Sequence, residues 1–262
     1  MMRPLAEWNA DGVRGLLFDL DDTLTTHGKL TSAAYAAMER LKATGRIVVP
    51  ITGRPAGWCD QIARLWPVDA VVGENGAFYF WHDAGTAKLE RRYHDSDQAR
   101  AQKRAQLGAI AEQILREVPG CTVAADQAYR ETDLAIDYCE DVPALPLAAA
   151  EKIASLMREA GLNAKISSIH VNGWFGGYDK LSMTQQLFTE RFGIDLPASQ
   201  REFGFAGDSP NDAPMFAFFE NSVGVANVRR FAPTLTAAPR YITRAESGAG
   251  FVELIEHLLG AG

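Results

Sequence analysis

Short apolar runs that break off at acidic residues govern how this 262-residue chain can fold. Val13-Arg14-Gly15-Leu16-Leu17-Phe18 is too short for a helix and stops at Asp19-Leu20-Asp21-Asp22. Glu202-Phe203-Gly204-Phe205-Ala206-Gly207 repeats the pattern near the other end and stops at Asp208. Near-continuous apolar runs of this length read as strands buried on both faces, the kind found in parallel sheets covered by helices. Parallel strands need crossover connections, and the intervening segments supply them. Thr31 or Ser32 caps a helix over 33–43 that Gly45 ends. Residues 47–51 form a second buried strand running into Thr52-Gly53-Arg54-Pro55. A helix over 57–65 follows, then a third strand over 70–72 that leads into Glu74-Asn75-Gly76.

The pattern then changes. Residues 78–82 and 88–93 flank Asp83-Ala84-Gly85 as an antiparallel hairpin. A long polar helix covers 97–117, with Leu107, Ile110, Ile114 and Leu115 as its apolar stripe. Strands over 121–124 and 134–138, an Ala-rich helix over 147–160 and short strands over 164–166 and 168–172 complete this stretch. From Gly177 the parallel style returns. Asp179 or Ser182 opens a helix to Phe192, a helix covers 213–219 and a strand 222–225. An edge strand over 241–243 and a closing helix over 250–259 end the chain. The expected fold class is α/β: a Rossmann-like parallel sheet core, residues 1–82 and 178–262, with an inserted α+β cap over 83–177 that carries substrate specificity.

Composition narrows the function classes. Hydrophobic residues at 47% and charged residues at 23% suit a soluble globular protein. No apolar run approaches the ~20 residues that cross a bilayer, and the first residues lack a secretory h-region. A net charge of −7 argues against a nucleic-acid binder. Cys59, Cys121 and Cys139 are odd in number and scattered. They suit neither a disulfide framework nor a metal site, and fit a reducing cytoplasm. The expectation is a cytoplasmic protein with a small-molecule substrate and neither nucleic-acid nor membrane partner; the oligomeric state stays open.

Ligands of open parallel sheets bind outside the carboxyl ends of the strands. Those ends hold Asp19 and Asp21, then Thr52, then Asp208 with Asp212 one turn on, while Lys180 opens a helix. Clustered carboxylates repel one another unless a cation lies among them. Oxygen ligands without His or Cys suit Mg²⁺. A metal, a lysine and backbone amides around a carboxylate make a site for a phosphoryl group. Asp19 is placed to attack phosphorus, and Asp21 to give and take the proton. Taken singly, Asp19 and Asp21 also suit a turn, Lys180 a solvated surface, and Asp212 a helix N-cap before Ala213-Pro214.

Together these segments are recognisable. Phe18-Asp19-Leu20-Asp21-Asp22-Thr23-Leu24 resembles the DxDxT motif of the haloacid dehalogenase-like hydrolase superfamily. Ile51-Thr52-Gly53-Arg54 resembles its second motif and Asp179-Lys180 its third. Gly207-Asp208-Ser209-Pro210-Asn211-Asp212 resembles the fourth, of GDxxxD form. An insert between the second and third motifs is similar to the type IIB cap subgroup, which holds sucrose-phosphatase, mannosyl-3-phosphoglycerate phosphatases, Cof-type enzymes and eukaryotic phosphomannomutase. The resemblance implies a Mg²⁺-dependent phosphatase acting on a small phosphorylated metabolite such as a sugar phosphate. Asp19 would be nucleophile and metal ligand. Asp21 would be general acid/base and lend its carbonyl to the metal, with Asp208 and Asp212 as further ligands. Thr52, Gly53, Arg54, Lys180 and Asn211 would hold phosphate or substrate. Many members carry Gly where this chain has Asp22. A phosphomutase and a non-catalytic phospho-ligand binder are the alternatives on the same fold.

The cap must supply specificity. In a strand, Ser168, His170 and Asn172 share one face and suit sugar hydroxyls, though each alone also suits a solvated sheet face. Asn75 lies at the end of the third strand near the cleft. Trp174 suits stacking on a sugar ring or packing in a core. Arg91, Arg92, Arg100, Lys103 and Arg104, interleaved with Asp95 and Asp97, read as a solvated face more than an anion guide.

Overall fold

The computed structural model describes residues 2–260. In chain order the strands are β1 (Arg3–Pro4), β2 (Gly15–Phe18), β3 (Ile47–Pro50), β4 (Val71–Gly73), β5 (Phe78–Asp83), β6 (Lys88–Tyr93), β7 (Thr122–Val123), β8 (Asp133–Asp137), β9 (Asn163–Ile166), β10 (His170–Trp174), β11 (Phe203–Gly207), β12 (Asn221–Gly224) and β13 (Tyr241–Ile242). The helices are α1 (Ser32–Ala43), α2 (Ala56–Leu65), α3 (Asp97–Glu117), α4 (Leu147–Glu159), α5 (Lys180–Leu187), α6 (Leu196–Ser199), α7 (Ala213–Phe218) and α8 (Ser247–Leu258). No helix among the described residues is long and apolar enough to cross a membrane.

Side-chain alternation explains the central sheet. In β2, Leu16 and Phe18 point to one face, into a cluster with Met38 and Leu41 of α1 and Phe251 and Leu254 of α8. Leu17 points to the other, with Met183 and Leu187 of α5 and Met215 and Phe216 of α7. Both faces are covered, so the strand is apolar throughout. Burying each such Leu or Phe contributes roughly 1.5–3 kcal/mol. The sheet is parallel, in the order β1-β13-β12-β11-β2-β3. Phe18 is opposite Ala206 in register, which brings the acids that end β2 and β11 side by side.

Two details of the sheet differ from expectation. β13 is an inner strand, flanked by β12 and by β1. The Arg3-Pro4 pair that forms β1 has no strand signature, and a proline without N–H is tolerated at the outermost position. β4 pairs antiparallel with β5, and touches the parallel sheet through one bridge, Ile51 to Val72. β5 in turn pairs with β6 as the expected hairpin.

The second sheet is antiparallel, in the order β7-β8-β10-β9. Leu134 and Ile136 of β8 and Val171 of β10 pack on Leu107 and Ile114 of α3 and Ile153 and Met157 of α4. Period-two alternation sends Asp133, Asp137, His170 and Asn172 to the opposite face. β10 starts two residues later than the sequence reading placed it. The Ser167 hydroxyl accepts from His170 N at 3.0 Å and donates to His170 O at 3.0 Å. That local turn holds Ser168 outside the strand. Cys59, Cys121 and Cys139 are free thiols, the first two buried.

Candidate active site

Asp19 follows directly on β2, its N–H bonded to Ala206 O at 2.9 Å. Lys180 is the first residue of α5. The helix start is fixed by a capping box, in which Asp179 accepts from Ser182 N at 2.8 Å and the Ser182 hydroxyl accepts from Asp179 N at 2.9 Å. Gly76, at φ +106°, lies against the Asp179 carbonyl, where a Cβ would overlap it. The Lys180 ammonium donates to Asp19 Oδ1 at 2.6 Å and Asp212 Oδ1 at 2.7 Å. The other Asp212 oxygen accepts from Asp208 N at 3.0 Å and Ser209 N at 3.3 Å. A Cβ at Gly207 would overlap that carboxylate, which accounts for glycine there. Asp212 does not cap α7 with its side chain, as one expectation had it. It orients the lysine and the loop after β11 instead. Asp208 accepts from Asn227 Nδ2 at 3.1 Å.

Charge in this cluster does not balance. Asp19, Asp208 and Asp212 are buried and offer ligand oxygens within 4.8 Å of one another. Burial pushes the Asp19 carboxyl up to about 8; Lys180 opposes the rise, and Asp212 and Asp21 add to it. Burial, then Asp19 and Asp212, push Asp208 well above the usual carboxylate range. Burial would lower Lys180, but the two aspartates hold it above its ordinary value. One ammonium against three carboxylates leaves room for a cation. Hard oxygen donors without His or Cys fit Mg²⁺ better than a transition metal.

Residues 16–108 match the family model of the haloacid dehalogenase-like hydrolases. A phosphoglycolate phosphatase of Methanothrix thermoacetophila is 25% identical over 250 residues, covering 95% of this chain and 99% of the relative. The sucrose-phosphatase of Synechocystis, solved with sucrose and phosphate, superposes with a TM-score of 0.63 at 16% identity, over 94% of this chain and 98% of that one. A subclass IIB sugar phosphatase superposes with a TM-score of 0.61 at 14% identity, over 93% and 98%. Over residues 16–108, then, this chain is similar to the haloacid dehalogenase-like hydrolases.

Around these carboxylates the chain gathers several of the other residues singled out in the sequence. Thr52 is fully buried, its hydroxyl accepting from Arg54 N at 2.9 Å. Gly53 faces Asn75 and Asn172. Asn211 Nδ2 reaches Asn75 Oδ1 at 3.5 Å. Asn172 is buried and donates to Asp133 Oδ2 at 2.9 Å. His170 is buried, with Nε2 2.9 Å from Glu140 Oε2 but not aligned for a hydrogen bond. An enclosed space of about 10 Å³ is lined by Asp19, Asp21, Arg54, His170, Asn172 and Asn211. Ser168 also lines it. Residues of the two sheets therefore meet over Asp19, and the face that carries His170 and Asn172 is an inner wall rather than the solvated alternative. Asn75 Nδ2, Ser168 Oγ and His170 Nε2 are the buried side-chain polar atoms without a hydrogen-bond partner among the described residues.

Asp21 stands apart from the carboxylate cluster. Arg54 Nε lies 3.0 Å from both its oxygens, and Nη2 2.9 Å from Oδ1. The same guanidinium reaches Glu140 at 2.5 Å and Asp126 at 3.3 Å, and lies 4.4 Å over the Trp58 ring. Trp174 is core: its indole N–H donates to Tyr178 O at 3.1 Å. Arg91, Arg92 and Lys103 pair with Asp60, Glu190 and Asp95, as a solvated face would.

Several buried charges have structural roles that the sequence reading did not assign. Glu74 is fully buried, and its carboxylate accepts from Ala56 N at 2.9 Å, Glu131 N at 2.9 Å, Thr132 N at 2.7 Å and the Thr132 hydroxyl. Arg130 pairs with Asp126 and Asp133 and donates to Gly53 O at 2.8 Å. The signal for Glu74 was a lone acid directly after the strand Val71–Gly73. Asp126, Arg130 and Asp133 lie among other polar residues and carried no such signal.

Proposed function

We propose that this protein is a Mg²⁺-dependent phosphatase that cleaves a small phosphorylated metabolite, a sugar phosphate, through an aspartyl-phosphate intermediate. The observation that carries this reading is the buried Asp19–Lys180–Asp212–Asp208 cluster, whose Asp19 lines a space shared with the unpartnered Ser168 and His170 side chains. Asp19, Asp208 and Asp212 would hold the ion through their carboxylates, with the Asp21 carbonyl as a further ligand. When bound, Mg²⁺ supplies positive charge to the phosphoryl oxygens.

The chain's own groups carry the steps. An Asp19 oxygen attacks phosphorus and the phosphorus–oxygen ester bond breaks, while Asp21 gives its proton to the leaving oxygen. Water then attacks the phosphorus of the aspartyl-phosphate. Asp21 takes the water's proton, and the bond from Asp19 to phosphorus breaks. Lys180 and the Thr52 hydroxyl hold phosphoryl oxygens, and Lys180 keeps Asp19 oriented. The four-stranded sheet with α3 and α4 acts as the cap. A space of about 10 Å³ holds about one water, so the cap moves to admit substrate and closes to exclude water.

The direct test is Asp19→Asn. Phosphate release from p-nitrophenyl phosphate with Mg²⁺ should fall by at least about 10³-fold, with an unchanged far-UV spectrum. Turnover near the wild-type rate would refute the mechanism.

A further inference from the structure

A second, open cavity of about 310 Å³ adjoins the closed space, and shares Asp21, Arg54 and Ser168 with it. It therefore begins where a leaving group would emerge from a phosphoryl group held at Asp19. Its walls also carry Asp22, Thr25 and Glu140. Asp22 is half-buried, and its backbone is pinned at φ +56°. Its carbonyl accepts from Asn227 Nδ2 at 2.9 Å, and its N–H donates to the Thr25 hydroxyl at 3.2 Å. The pinned backbone leaves the carboxylate on the cavity wall. That carboxylate makes no hydrogen bond or ion pair within the described residues. The Ser168 hydroxyl is near enough to influence it, yet makes no hydrogen bond with it.

The charges here are unequal. Asp21, Asp22 and Glu140 line the cavity, and Arg54 is the one Lys or Arg among its lining residues. Arg54 is already held by Asp21, Glu140 and Asp126. His27, also on the wall, is exposed. Beyond Asp21, a leaving group with its own carboxylate would meet two further acids, Asp22 and Glu140, and no free Lys or Arg on the wall, a like-charge arrangement that discriminates strongly. A hydroxyl-rich neutral group would donate charge-assisted hydrogen bonds to both acids. It would also give partners to Ser168 Oγ and to His170 Nε2, whose ring is 2% exposed and abuts Glu140.

We propose that Asp22, together with Glu140, sets specificity in this protein. The pair accepts hydroxyls of an uncharged polyol leaving group and rejects one that carries a carboxylate. This rests on the phosphatase reading above, and it separates the chain from its phosphoglycolate phosphatase relative.

The experiment measures kcat/KM for a panel of hexose and pentose monophosphates and for phosphoglycolate, in the wild type, Asp22→Asn and Asp22→Gly. Asn and Gly both tolerate the left-handed backbone at residue 22, so the fold is kept. The wild type should favour its best sugar phosphate over phosphoglycolate by roughly 100-fold. Either substitution should raise KM for that sugar phosphate roughly tenfold and narrow the ratio. Wild-type preference for phosphoglycolate, or a ratio unmoved by both substitutions, overturns the proposal while phosphatase activity stands. Absence of phosphate release from every substrate, p-nitrophenyl phosphate included, overturns the phosphatase reading and this proposal with it.

Discussion

Three carboxylates share one ammonium at Asp19, and the imbalance has a thermodynamic consequence apart from catalysis. The folded value for Asp19, about 8, lies above its ordinary 3.8. Its contribution to stability is thus fully present below pH 3.8 and lost as pH rises through about 8. Mg²⁺ binds the ionised carboxylates, so its stabilisation should grow over the same window. Saturating Mg²⁺ should raise the melting temperature by about 5 °C or more at pH 8, and by less at pH 5. Asp208→Asn should remove most of the rise. A melting temperature at pH 8 indifferent to Mg²⁺ would refute a cation site here. These residues were legible because strand ends are where an apolar run must stop, and an acid there is conspicuous. The hold of Asp212 on the Asp208 and Ser209 amides was not legible, since a loop's backbone direction leaves no periodic trace.

At the scale of elements, periodicity located strands and helices well, and failed where a single hydrogen bond decided the outcome. α3 was read with the bounds the structure gives, Asp97–Glu117. Its apolar stripe and its Ser96 N-cap, which accepts from Ala99 N, are local signals. β10 slipped by two residues because the Ser167 turn is equally polar in either placement. β1 was missed because its partner β13 lies far away in sequence. Glu74 is the strongest case of this kind. It ties the N-terminus of α2 to the segment before β8, through donors from Ala56, Glu131 and Thr132. Glu74→Ala leaves several buried donors unpaired, each costing about 1–3 kcal/mol. The melting temperature should fall by roughly 6 °C or more, and amide exchange at Glu131 and Thr132 should accelerate. A fall under about 2 °C would mean water replaces the carboxylate at little cost.

For the whole molecule, the question is what holds the two sheets together over Asp19 before substrate arrives. Arg54 follows β3, yet its guanidinium joins Asp21, two residues from Asp19, to Glu140 and Asp126. Burial alone would raise Glu140. The nearby His170 ring and the Arg54 guanidinium hold it down at about 2 instead, so the latch stays charged at neutral pH. The sequence showed Arg54 beside Thr52, but its partners lie 33, 72 and 86 residues away, beyond any local pattern. Removing the two ends of the latch should have unequal effects. Arg54→Ala leaves Asp21, Asp126 and Glu140 facing one another without their shared cation, a loss of about 3–5 kcal/mol for a buried pair broken on one side. Glu140→Gln keeps an acceptor for Arg54 and removes one charge, so the fold should persist while the closed arrangement weakens. Hydrogen exchange near neutral pH should then show faster exchange for His170, Val171 and Asn172 in Glu140→Gln, with the β2 and β11 amides unchanged. Equal protection of β10 in wild type and Glu140→Gln would place the closing force elsewhere, in the Arg130 bond to the Gly53 carbonyl or the Glu74 anchor.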